Sequence, residues 1–209
     1  MLVVPNPLLR ASFIAAMREW EQASGTADAD GLSVADLSVP GRFEEYAQQM
    51  RDGRLPWQRT YAGSWVRCFW WLDDAGEFIG RISIRPDLTP GVRDANHIGY
   101  AVRPGRRCEG HATAMLAAAL PIAWNLGIDP VVLVCAETNA GSRTVIERNG
   151  GVLTEVGRGR CRYLAPRPDS FVPHPNSESD LTPHRFRPGL CAGHPAVQRR
   201  WPQRPLYAP

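Results

Sequence analysis

Val102-Arg103-Pro104-Gly105-Arg106-Arg107-Cys108-Glu109-Gly110-His111-Ala112-Thr113 is the stretch on which the reading of this 209-residue chain turns. Upstream, His97–Val102 reads as a strand. Downstream, Gly110–Leu126 is rich in Ala and Leu and reads as a helix, ended by Gly127-Ile128-Asp129-Pro130. Val131–Cys135 then forms a continuous apolar strand. A strand, a helix and a fully apolar strand in that order predict a βαβ unit with parallel strands. The loop between them carries three arginines and runs straight into a helix start. Such a start offers unpaired N–H donors and the positive end of the macrodipole, a natural seat for a pyrophosphate. Gly110 lets the phosphate approach closely because it has no Cβ, and Ala112 is small for the same reason. Arg106 and Arg107 add counter-charge. No G-K-[ST] follows, and no G-x-G-x-x-G is present, so neither a Walker loop nor a dinucleotide fingerprint is at hand.

Working outward, Leu8–Gln22 places Leu9, Phe13, Met17 and Trp20 at helical spacing and predicts an amphipathic helix. Ser24–Gly41 reads as a polar connection and Phe43–Met50 as a second, short helix. Trp65–Leu72 and Phe78–Ile84 flank Asp73-Asp74-Ala75-Gly76 and predict a hairpin. Pro121 is expected to kink the long helix. Ala140–Asn149 predicts another short helix stopped by Gly150-Gly151, and Val152–Val156 with Cys161–Leu164 a second hairpin around Gly157-Arg158-Gly159.

Hydrophobic residues make up 44% of the chain, enough for one sizeable core. No apolar run is long enough to span a bilayer, and no secretory leader is legible, so a cytoplasmic protein is expected. Five scattered cysteines form no CxxC pair, so neither a metal site nor a disulfide framework is expected. Residues 1–168 carry 19 Arg against 18 Asp plus Glu, a balance that argues against nucleic-acid or membrane partners. Residues 169–209 hold eight Pro and three His in 41 residues and few aliphatics. A 1–168 domain followed by a 169–209 Pro/Arg/His-rich disordered tail is the expected organisation.

Arg107-x-x-Gly110-x-Ala112 resembles the R/Q-x-x-G-x-G/A signature of the GNAT acetyltransferases. HIGYAVRPGRR…GHATAML and NLGIDPVVLVCAETNAGSRTVIERNGG are similar to that superfamily over roughly Phe43–Leu164, closest to a bacterial group of acetyltransferases. The resemblance implies an α/β fold: a central mixed twisted sheet, helices on both faces, and parallel strands 4 and 5 (His97–Val102 and Val131–Cys135) that splay apart. It implies acetyl-CoA as cosubstrate and direct attack of a primary amine on the thioester. Arg107 and the amides of Cys108, Glu109, Gly110, His111 and Ala112 would hold the pyrophosphate, with Thr113 in the same helix turn. Tyr100, Ala101 and Val102 would run beside the pantetheine, with Asn139 and Ser142 facing it. A backbone N–H near Val102 would stabilise the oxyanion. The acceptor would be a small-molecule or peptide amine, and the protein a monomer or homodimer.

For the acid–base groups the resemblance is less complete. Many relatives place a Glu near the start of strand 4. Here His97 is the nearby side chain that titrates close to neutrality, weighed as general base against a packing role; Glu137 is a second candidate. The usual helical Tyr is replaced by Ile146, so Tyr100, Tyr163 or water would protonate the leaving thiolate. Cys108 and Cys135 are weighed as covalent nucleophiles and set aside. Trp57, Trp65, Trp70 and Trp71 divide between core and acceptor pocket, and the loops Asp52–Tyr61 and Pro86–Asn96 would bound that pocket. The alternative is a catalytically inactive CoA-binding module.

Overall fold

A computed structural model describes residues 1–24, 32–53, 66–88 and 95–173. Trp57, Trp65, most of the loops 52–61 and 86–96, and the bulk of the expected tail, 174–209, lie outside the described residues.

The elements run β1 (Leu2–Val3), α1 (Arg10–Ser24), α2 (Val34–Ser38), α3 (Arg42–Arg51), β2 (Arg67–Leu72), β3 (Phe78–Ile84) and β4 (Ile98–Val102). They continue with α4 (His111–Asn125), β5 (Val131–Ala136), α5 (Ala140–Arg148), β6 (Val152–Gly157) and β7 (Arg160–Ala165). The predicted mixed sheet is realised as two antiparallel ladders, β1-β2-β3-β4 and β5-β7-β6. Strands β4 and β5 do not share a ladder, because they part soon after their first residues. That splay was expected; the division of the sheet in two is its consequence.

The alternation along β2 and β3, reset once by a bulge that leaves Ile79 unpaired opposite Trp71 and Leu72, explains the layers. Trp70 and Phe78 point to one face and pack with Phe13, Met17, Trp20, Phe43 and Tyr46 of α1 and α3. Phe69, Ile79, Ile82 and Ile84 point to the other face and pack with Met115, Leu116, Ala119 and Leu120 of α4. Helices therefore cover both faces. The Phe13 ring sits 4.7 Å from Phe78 and 4.9 Å from Trp70, so the aromatic cluster fixes α1 against the sheet. Trp70 is core; Trp71, one residue on, emerges on the opposite side.

Two local readings are corrected. The polar connection 24–41 contains α2, nucleated by a capping box in which Ser33 and Asp36 satisfy each other's backbone N–H. The first helix begins at Arg10 after a 3-10 turn at Pro7–Leu9. Pro121 does not interrupt α4, which runs unbroken to Asn125. It removes one backbone bond, and the burial of Leu120 and Ala123 on either side offsets that loss. Arg167 pairs with Asp129 at 3.7 Å, and contacts continue past Pro168, where Phe171 lies edge-on to Trp124 at 5.3 Å.

Candidate active site

Two edges face each other at the centre of the molecule. At their N-terminal ends β4 and β5 are joined: His97 N–H donates to Val132 O at 2.9 Å, and Val132 N–H donates to His97 Nδ1 at 2.8 Å. Beyond that pair the strands belong to different sheets. The free edge of β4 can be read from its ladder. Arg103 N–H donates to Ile79 O at 2.8 Å, which makes Arg103–Ile79 a hydrogen-bonded pair. Such pairs alternate with open ones along an antiparallel ladder. Val102, opposite Gly80, therefore turns its N–H and C=O away from β3 and into the cleft, as does Tyr100 opposite Ile82. Arg107 Nε reaches Val102 O at 3.2 Å, as that direction requires.

Strand β4 then feeds a 3-10 turn at Pro104–Arg106 and the start of α4. Cys108 (φ 64°) and Gly110 (φ 85°) both adopt the left-handed conformation. Alternation of this kind turns successive N–H groups toward one concavity. Gly110 is the N-cap, and no side chain caps the helix. The amides of the first turn thus remain available to an anion. A Cβ on Gly110 would meet no protein atom within 4 Å, so its backbone angle, rather than packing against the protein, requires glycine.

The arginines of the loop have separate employments. Arg103 is bound by Glu19 of α1 and also reaches Phe78 O at 3.2 Å. Glu19 accepts Gly105 N–H as well, at 3.0 Å. The Arg103 bond, first among the causes, holds the Glu19 carboxyl below its ordinary pKa. Arg106 is taken by Asp73 at 2.9 Å and Glu109 at 2.8 Å. Arg107 is exposed and, among the described residues, engaged through Nε. Among the described residues, the two terminal nitrogens of Arg107 have no protein partner.

Across the cleft, Asn139 caps α5, its Oδ1 accepting Ser142 N–H at 2.9 Å. The Tyr100 hydroxyl reaches Ser142 Oγ at 2.8 Å and so bridges from β4 to α5. Burial pushes its pKa up to about 12. Ala112 packs against the core, and the Thr113 backbone carbonyl accepts from Asn149 Nδ2 at 3.2 Å, which ties α4 to α5. Ile146, where a Tyr was sought, is buried in the core. Tyr163 donates to Glu147 at 2.8 Å, accepts from Arg143 at 3.3 Å, and is pushed up in pKa by burial. Cys135 is buried and its thiol pKa raised by that burial, which keeps it inert; Cys108 is exposed.

Of the two roles weighed for His97, general base and packing or hydrogen bonding at the strand start, the geometry favours the second. Its ring is buried, and burial first, with the Arg162 charge behind it, lowers the pKa to about 4. Nδ1 already accepts the Val132 amide, so the neutral ring carries its proton on Nε2 and keeps no second lone pair. Trp71, read for the core or the acceptor pocket, and Asp73, read for the hairpin turn, instead meet this loop, and Glu19, which the sequence did not single out, joins them; each is brought there from a distant element.

The sequence profile of the acetyltransferase (GNAT) domain matches residues 19–152. The chain belongs to the GNAT acetyltransferase family. Among solved structures, the GNAT fold seen here is similar to Mycobacterium smegmatis RimJ in complex with CoA-disulfide, at 19% identity and TM-score 0.55 over 78% of each chain. It is similar to a spermidine N-acetyltransferase SpeG chimera from Vibrio cholerae and hSSAT, at 16% identity and TM-score 0.52, over 79% of this chain and 94% of that one. It is also similar to yncA from Salmonella typhimurium with its cofactor acetyl-CoA, at 15% identity and TM-score 0.50, over 84% of this chain and 98% of that one. At such identities the likeness is one of fold. No curated protein matches the chain in sequence. Among the described residues, no helix is long and apolar enough to cross a membrane, and no cluster of metal-ligating side chains occurs.

Proposed function

We propose that this GNAT protein transfers the acetyl group of acetyl-CoA to a primary amine by direct attack. One observation carries the reading: the unladdered edge of β4 at Tyr100–Val102 leads directly to the uncapped, left-handed turn at Cys108–Gly110. An extended amide chain ending in a pyrophosphate matches that sequence of donors. The amides of Cys108, Glu109, Gly110, His111 and Ala112 hold the diphosphate, with Arg107 as counter-charge. The Tyr100 and Val102 edge groups pair with the pantetheine, whose other flank meets Asn139 and Ser142. Val102 N–H, turned into the cleft, donates to the oxyanion.

Acid–base chemistry is sparse. With His97 committed to Val132, the amine arrives neutral or loses its proton to water. Tyr100, at a pKa of about 12, is a weaker acid than a thiol of about 8.5. It therefore stays protonated and donates a hydrogen bond to the departing thiolate, while the net proton comes from the attacking amine. Positioning supplies most of the rate in such a site.

Ile146 and the committed His97 also favour a second reading, a GNAT module that binds CoA without turnover. Thiol release separates the two. Acetyl-CoA should raise Tm, and a screen of polyamines, amino acids and peptide N-termini should yield amine-dependent release of CoA thiol. Binding without release from any amine would establish the second reading. An unchanged Tm at saturating acetyl-CoA would defeat both.

A further inference from the structure

Asp73 lies in the β2–β3 turn, outside the residues expected to meet acetyl-CoA, yet its carboxylate is fixed by three hydrogen bonds, one of them from the phosphate loop. Its Oδ1 accepts Ala75 N–H at 3.1 Å and Glu77 N–H at 2.9 Å, which sets its orientation. Its Oδ2 takes Arg106 Nη1 at 2.9 Å, with the Asp73 side chain only 15% exposed. The other side of the same guanidinium is held by Glu109: Arg106 Nε lies 2.8 Å from Glu109 Oε2. Glu109 Oε2 also meets His111 Nε2 at 3.2 Å. The opposite nitrogen of His111, Nδ1, accepts from Trp71 Nε1 at 3.3 Å. The end of β2 and the turn after it thus grip the loop twice, at Arg106 through Asp73 and at His111 through Trp71. The left-handed residues Cys108 and Gly110 lie between the two grips.

We infer that Asp73, Arg106 and the Trp71–His111 pair are positioning residues that hold the phosphate-binding amides in their receptive conformation. Arg106 is then withdrawn from the phosphate, and among the loop's three arginines Arg107 is left to supply counter-charge. This rests on the acetyl-CoA reading above. Left-handed conformations at a non-glycine such as Cys108 persist only where surrounding contacts impose them, and the two grips are the contacts in place to do so. A loop ordered beforehand spends less of its binding energy on ordering.

The inference has a sign that simple charge arguments reverse. Asp73→Asn keeps the Oδ1 acceptor of the turn and removes the charge that holds Arg106. If Arg106 were a phosphate ligand restrained by Asp73, this variant would bind acetyl-CoA more tightly. As a clamp residue, its loss should raise the Kd for acetyl-CoA five- to twentyfold. Calorimetry on the full chain with acetyl-CoA reads this without an acceptor. Arg106→Gln should weaken binding to a similar degree, and the double variant no further, since each change opens the same grip. Arg106→Lys keeps the charge but cannot span both carboxylates, so it should resemble Arg106→Gln. Unchanged or tighter binding by Asp73→Asn, additive losses in the double variant, or full affinity in Arg106→Lys would each overturn the clamp. Failure of the unaltered protein to bind acetyl-CoA would instead overturn the functional reading, and the clamp with it.

Discussion

His97 and Val132 are joined by two hydrogen bonds, one of them made by a side chain: the backbone N–H of His97 donates to Val132 O, and His97 Nδ1 receives the Val132 N–H in return. The imidazole stands where the next carbonyl of a paired strand would be. It closes the foot of the cleft and satisfies a buried amide exactly once, after which β4 and β5 are free to separate.

This arrangement makes stability depend on acid. The folded-state pKa of His97, about 4, lies below the unfolded value of 6.5. Between those values the unfolded chain binds a proton that the folded chain refuses, so stability is complete above pH 6.5 and declines toward pH 4. The loss is on the order of 3 kcal/mol over the whole window. His97→Asn offers Oδ1 to the same amide without titrating, so its Tm should fall less than that of the parent between pH 6.5 and 4.5. His97→Ala strands the Val132 N–H and should cost about 1–3 kcal/mol at neutral pH. Parallel Tm–pH curves for the parent and the Asn variant would contradict the strut.

Glu19 predicts a second, more acidic dependence. Arg103 lowers its folded pKa, so its contribution is present above the unfolded carboxylate range and disappears as pH falls through the lowered value. Glu19→Gln should remove that dependence and loosen the turn at Gly105. Amide exchange at Gly105 is the measurement, and it should quicken in the variant.

Tyr100→Phe tests the hydrogen bond to the departing sulfur. With a usable acceptor found by the amine screen, kcat should fall about 10- to 100-fold, while KM for acetyl-CoA stays within about threefold. Ser142→Ala removes only the partner of the hydroxyl and should cost less. Equal losses in the two variants would reduce Tyr100 to a brace between β4 and α5.

Gly110→Ala asks for a side chain at φ 85°, where nothing in the protein crowds it. The left-handed conformation should cost about 1–2 kcal/mol of stability. The same Cβ projects toward the anion seat, so the Kd for acetyl-CoA should rise at least tenfold. A stability loss with unchanged affinity would move the pyrophosphate elsewhere.

The strand–arginine loop–helix–strand order was legible because each element has a local signature: alternation, an Ala/Leu-rich run, a glycine before the first turn. The β2–β3 hairpin followed from Asp73–Gly76 between apolar strands, whereas the capping of α5 by Asn139 emerged only from the structure. α2 escaped notice because five residues show too little periodicity, though its Ser33–Asp36 box was there to be read. Ile146 was correctly seen as no acid, and its burial shows what it does instead.

Sequence by itself determined most of the elements, the family and the strand–arginine loop–helix order, since all of these rest on residues near one another along the chain. Tertiary structure alone decided the employment of the charged and titrating side chains. His97 is spoken for by Val132, Arg106 by Asp73 and Arg103 by Glu19, across separations of 35, 33 and 84 residues. A titrating group takes its character from the dipoles and charges that folding sets beside it, and no local pattern encodes which those will be.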